Sequence, residues 1–191
     1  MTEVVRLTLV SHAMTDAMAA GRFPIDEPLN AAGRRQVEAA AGLDIKGFDI
    51  GARQLTGPEQ RACQTAQLLV LQATIEPQLA DLDCGRWRGQ TLGAVGPVDL
   101  EVWLTDPAQA PHGGESIVDL IERVAGWLAS LTDNTLTDNT LRTVAVTHPA
   151  VIRAAILRAL HIPPESFWRI DIAPVTRTVM HFRNDSWTVR L

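Results

Sequence analysis

Cysteine is scarce in this sequence. Cys63 and Cys84 are the only two, too few for a disulfide framework and without zinc-ligand spacing. Both read as buried thiols, because free cysteine packs mostly as a small apolar residue. Positive charge is also in short supply: 17 Lys and Arg against 22 Asp and Glu leave a net charge of −5. That balance argues against general binding to nucleic acid or anionic lipid, though not against a local cationic pocket. No stretch approaches the roughly 20 apolar residues of a membrane span. The first apolar run carries Glu3 and Arg6, so a secretory leader is not expected. What is present is apolar mass: 46% of the 191 residues. One domain over 1–191 with a sizeable core, soluble and cytoplasmic, is the expectation.

Strand and helix patterns alternate along the chain. Residues 4–11, "VVRLTLVS", read as a buried strand. Asn30 is placed to cap a helix over "AAGRRQVEAAAGL". Residues 52–57, "ARQLTG", read as a short strand, and Pro58 as the first helical residue of "PEQRACQTAQLLVL". Residues 73–112 are rich in Pro, Gly and Asp and read as loop, with a short helix around "DLEVWLTD". Ser116 and Asp119 form a capping pattern before Ile117, Leu120, Ile121, Val124 and Leu128, which recur at helical spacing. "RTVAVTH" is a further buried strand, and "PAVIRAAILRAL" a helix opened by proline. "RTVMHFRNDSWTVRL" reads as a hairpin turning at Asn184 and Asp185. The tandem duplication "TDNTLTDNTL", residues 132–141, reads as a solvated loop. Such alternation predicts an α/β protein with a mainly parallel sheet.

Three strands end at reactive side chains. The first ends at Ser11 and His12, the second leads through Gly57 into a helix carrying Arg61, and a late one ends at Thr147 and His148. Ligands of open α/β sheets bind at the carboxyl ends of the strands, so the three positions are predicted to meet in one crevice. Helices beginning at Pro58 and Pro149 would aim free N–H groups there, which suits an anion. His112, His161 and His181 have no strand-end context and are assigned to structure.

The motifs that carry these residues resemble those of the histidine phosphatase superfamily, in its phosphoglycerate-mutase-like branch. "VSHAMT" stands where that family has a strand ending in Arg-His-Gly. "GPEQRACQTA" stands for Ser-Pro-Leu-x-Arg-Ala-x-Gln-Thr-Ala, and "LADLDCGRWRG" for a segment with Glu before Gly-x-Trp-Glu-Gly. "GGES" is unchanged at 113–116, and "VAVTHPAVIRAAI" supplies the last strand, histidine and helix. The resemblance implies a three-layer fold, with helices on both faces of the sheet. It implies a phosphatase that acts on a phosphate monoester through a phosphohistidine at His12, with Arg61 and His148 on the phosphoryl group. Asp81, four residues before Gly85, falls where the family glutamate donates a proton to the leaving alcohol; Asp83 and Glu115 are reserves. The implied partner is a small phosphate monoester or phosphate ion, with no metal and no cofactor; a homodimer is left open.

The departures from the pattern matter. Ser11 replaces an arginine, and the expectation is that its hydroxyl still donates one hydrogen bond to substrate. Gly57 and Glu59 replace Ser and Leu, and Arg88 replaces Glu. Arg22, in the loop after the nucleophile, and Arg88 are the candidates to restore a cation. Trp87 and Trp103 are candidates to line a cleft or an interface. Ser11 and the shortened acid at 81 keep a second reading open: an inactive relative that binds a phosphorylated ligand or partner.

Overall fold

The computed structural model describes residues 4–41, 51–133 and 141–190. The first strand, β1 (Val5–Ser11), alternates its side chains between two cores. Leu7 and Leu9 point to one side and Val10 to the other, as expected of a strand covered on both faces. A short helix, α1 (Asp16–Ala19), and a longer one, α2 (Ala31–Ala41), follow. Asn30 does cap α2: its side-chain oxygen accepts from Gly33 N at 2.8 Å. Next come β2 (Arg53–Thr56), α3 (Gln60–Leu68) and the two-residue β3 (Thr74–Ile75). The irregular stretch holds three 3₁₀ turns and α4 (Pro97–Thr105). The chain then runs through α5 (Ile117–Ser130), β4 (Arg142–Thr147) and α6 (Pro149–Leu160). It ends in the hairpin β5 (Arg177–Arg183) and β6 (Ser186–Arg190).

The six strands form one sheet in the order β3-β2-β4-β1-β5-β6. The first four are parallel; β5 runs antiparallel to β1, and β6 to β5. Val37 of α2 and Ala62 and Ala66 of α3 pack with Val10, Val144 and Val146 on one face. Leu120, Val124 and Leu128 of α5 and Val151, Ala155 and Ile156 of α6 pack with Leu7, Leu9 and Ala145 on the other. The protein is therefore a three-layer α/β fold with a mainly parallel sheet and helices on both faces. Among the described residues no helix is long and apolar enough to cross a membrane.

Two details differ from the sequence reading. Helix α3 begins at Gln60 rather than Pro58, with Glu59 extended at its N-cap (φ −73°, ψ 146°). The reason is external: Asp26, from the loop after α1, accepts from Gln60 N at 2.8 Å and fixes where the helix starts. The stretch 73–112 is irregular but not a bare loop. It carries β3, and its Trp87 and Trp103 are buried at 2% and 7% exposure. With Phe23 and Trp168 they form an aromatic cluster, the Trp103 and Trp168 rings 4.3 Å apart. These two tryptophans hold the stretch onto the core. The duplicated segment, residues 132–141, falls mostly on 134–140, outside the described residues.

Candidate active site

Strand register brings the two histidines together. Ser11 of β1 is paired with Thr147 of β4 in a parallel ladder. The next residue of each strand is His12 and His148, so the imidazoles leave the sheet side by side, ring centroids 5.1 Å apart. Thr56 of β2 pairs with Val146, which sets Gly57 beside the end of β4 and swings Arg61 over the same crevice from the first turn of α3. Thr65 latches that helix to the nucleophile segment: its hydroxyl accepts from Ala13 N at 3.1 Å and donates to Arg61 O at 2.7 Å.

His12 is 3% exposed. Its Nδ1 lies 2.8 Å from Ala13 O. A carbonyl only accepts, so Nδ1 carries the proton and Nε2 keeps its lone pair. Burial, reinforced by His148 and Arg61, lowers the His12 pKa to about 3. The ring is neutral at pH 7, the form that can act as a nucleophile.

Arg61 is 2% exposed. It donates from Nη1 to Ile25 O at 2.8 Å and from Nη2 to Asp81 Oδ2 at 2.7 Å. A guanidinium has five N–H donors, so three remain for a ligand. Burial alone would raise the Asp81 carboxyl, but His148, Arg61 and His12 outweigh it and hold the group well below the usual carboxylate range. Asp81 Oδ2 is also 3.4 Å from His148 Nδ1.

Glu59 closes the ring of contacts. Its Oε2 is 2.7 Å from His148 Nε2, and its Oε1 accepts from Asp81 N at 3.0 Å. Burial opposes ionisation of Glu59, and the His148 contact overrides it, so the carboxyl pKa is lowered. The sequence reading noted Glu59 only as a departure. The signal was there in its position, two residues past a strand end that faces the crevice.

Glu59, Arg61 and Asp81 also line a cleft of about 410 Å³, together with Ile25, Asp26 and Arg88, among others; His12 and His148, 3% and 0% exposed, are not in that lining. The structure thus gathers His12, Arg61, Asp81 and His148, as the sequence predicted. It places the other candidates elsewhere. The Ser11 hydroxyl is fully buried; it donates to Ala173 O at 2.6 Å and accepts from Thr176 N at 3.0 Å. It is engaged by the segment before β5 and not offered to the cleft. Arg22 lies outside the cleft lining, its backbone bridged to Thr91. Arg88 does reach the cleft wall but pairs with Asp83 at 2.9 Å. Glu115 is held by Arg123 through two contacts of 2.7 and 2.8 Å. The N–H of Gln60 that was to face an anion is taken by Asp26.

A neutral imidazole, a buried guanidinium and a second histidine at the carboxyl ends of parallel strands define a class. The chain belongs to the histidine phosphatase superfamily (branch 1), whose sequence profile matches residues 7–191. A bifunctional protein of Mycobacterium tuberculosis is 35% identical over 128 residues, covering 62% of this chain and 35% of that one. The chain therefore spans about a third of the length of the curated relatives it matches first. A glucosyl-3-phosphoglycerate phosphatase of Mycobacterium tuberculosis is 32% identical over 139 residues, 66% of this chain and 60% of that one. The solved structure of a mycobacterial glucosyl-3-phosphoglycerate phosphatase in complex with VO3 superposes with a TM-score of 0.83. It is 25% identical and covers 98% of each chain.

Proposed function

We propose that the chain hydrolyses phosphate monoesters through a phosphohistidine at His12. The observation that carries this reading is the side-by-side emergence of His12 and His148 from paired strands, with the Arg61 guanidinium over the same crevice. His12 Nε2 attacks phosphorus as the ester P–O bond breaks. Arg61 and His148 take the equatorial oxygens, where transition-state charge accumulates. The leaving alcohol oxygen needs a proton, and we assign its donation to Asp81, since the other carboxyl at the crevice, Glu59, is engaged by His148 at 2.7 Å. In the free site His148 and Arg61 together keep Asp81 ionised. A bound phosphoryl dianion takes over Arg61 and sets like charge beside the carboxylate, which raises its proton affinity. In the second half, water gives its proton to Asp81 and attacks phosphorus, the N–P bond breaks, and phosphate leaves. The likeness to a phosphatase crystallised with VO3 supports the reading.

The rival reading is a binder without turnover, and one observation favours it: Asp81, paired with Arg61, is held in the wrong protonation state for proton donation. Hydrolysis of an aryl phosphate by wild type and His12→Ala separates the two. The expected result is loss of at least about 10³-fold in kcat/KM in the variant. Equal rates in both proteins would remove His12 as nucleophile.

A further inference from the structure

The two departures in the second motif, Gly57 and Glu59, meet in space at His148. The Glu59 side chain makes no cap hydrogen bond to its own helix. Instead it spans the site, with one oxygen on His148 Nε2 and the other on Asp81 N. A carboxylate accepts only, so Nε2 is the donor in that contact. On the opposite edge of the ring, His148 Nδ1 is fully buried and has no hydrogen-bond partner. Its polar neighbour, Asp81 Oδ2, is 3.4 Å away, too far and too poorly aligned to satisfy it. A buried ring nitrogen left open beside Asp81 and His12 is a place for a ligand oxygen.

Gly57 is what makes room. A Cβ there would stand 2.9 Å from His148 Nε2, 3.3 Å from Glu59 Oε2 and 2.8 Å from Leu79 O. A serine at 57 and a glutamate at 59 therefore compete for one space against the same nitrogen.

We propose that Glu59 is a positioning residue for the phosphoryl group. Its carboxylate holds His148 by Nε2 and, in the doubly protonated ring, leaves Nδ1–H free to donate to a phosphoryl oxygen, and Gly57 is the gap that admits it. The proposal rests on the reading of this crevice as a phosphoryl pocket. Both ring nitrogens donate only in the imidazolium, the form that a carboxylate at Nε2 and an oxyanion at Nδ1 together hold.

The test is a four-protein series: wild type, Glu59→Gln, Glu59→Leu and Gly57→Ser. For each, kcat and KM on an aryl phosphate are measured, and vanadate affinity is measured separately. Glu59→Leu is expected to weaken vanadate binding and lower kcat/KM by roughly 10- to 100-fold, the worth of one charge-assisted hydrogen bond. Glu59→Gln, which keeps an acceptor and loses the charge, falls between. Gly57→Ser is damaged at least as much as Glu59→Leu, since its Cβ meets Leu79 O and His148 Nε2 whatever stands at 59. Unchanged vanadate affinity in both Glu59 variants would overturn the proposal. If wild type shows no His12-dependent turnover, the phosphatase reading fails while the vanadate series still decides the role of Glu59. A wild type that binds no vanadate overturns both.

Discussion

Ser11 shows how a single residue can change employer. The family motif has a long cation there; this chain has a hydroxyl with 0% exposure that binds the 173–176 segment. Val175 in that segment adopts a left-handed φ of 57°, and its N–H donates to Ser11 O at 3.2 Å. Ser11 is thus a fastening point for the turn that leads into β5. Ser11→Ala leaves the Thr176 N–H without its acceptor, and a stranded buried donor costs about 1–3 kcal/mol. Urea unfolding is expected to show a loss of that size, with kcat/KM on an aryl phosphate changed by less than roughly 3-fold. A large activity loss with intact stability would return Ser11 to the ligand.

At the scale of elements, the motif "GGES" is instructive because its conspicuous residues build structure. Gly113 sits at φ +75°, and a Cβ on Gly114 would lie 2.0 Å from Asp83 O. Ser116 Oγ accepts from Asp119 N at 3.0 Å, and Asp119 returns the bond to Ser116 N, a complete capping box for α5. Ser116→Ala is expected to cost about 1 kcal/mol, a fall of roughly 2–4 °C in Tm for a chain of this size, with vanadate affinity unchanged. The strands, the capping pattern and the hairpin were legible because each depends on neighbours in sequence. Asn184 and Asp185 turn that hairpin with φ of 51° and 57°, values that their side chains tolerate better than most. His12, Arg61 and His148 were legible for a related reason: strand ends in a parallel sheet share one edge. The start of α3 was misplaced because its capping carboxylate, Asp26, comes from another loop. The role of Glu59 was hidden because it depends on the empty space at Gly57 and on a histidine far along the chain. Trp87 and Trp103 looked available for a cleft because nothing local announces the aromatic cluster that buries them.

For the whole molecule, burying a neutral imidazole makes stability depend on pH. His12 has a folded pKa near 3 and an ordinary value of 6.5. Below pH 6.5 the unfolded chain takes up a proton that the folded chain refuses, so stability falls with acid until the folded pKa is reached. Between pH 7 and pH 5 this one residue removes about 2 kcal/mol, at about 1.4 kcal/mol per unit. His12→Ala is therefore expected to lose about 2 kcal/mol less than wild type across that interval in paired urea titrations. His112 and His181, also lowered, contribute equally to both proteins and drop out of the difference. Asp81 acts in another window. Its depressed pKa adds stability above the ordinary carboxylate range, and that stability is lost as pH falls through the folded value. Equal acid sensitivity of the two proteins between pH 7 and 5 would mean that His12 is solvated and charged.

The position of β4 has a consequence for how the protein comes into being. In the sheet β4 lies between β2 and β1, yet in the chain it follows both. A growing polypeptide that has emitted its first two parallel strands cannot join them to each other in the final arrangement, since their shared neighbour has not been synthesised. Only when residues 142–147 slot in do β1 and β2 acquire their common partner, and the very next residue off the ribosome is His148. Completion of the parallel part of the sheet and delivery of the second imidazole are thus consecutive steps of translation, before β5 and β6 are made. An incomplete chain carries His12 and Arg61 without the strand that seats them, so the reactive centre arrives together with the scaffold that restrains it.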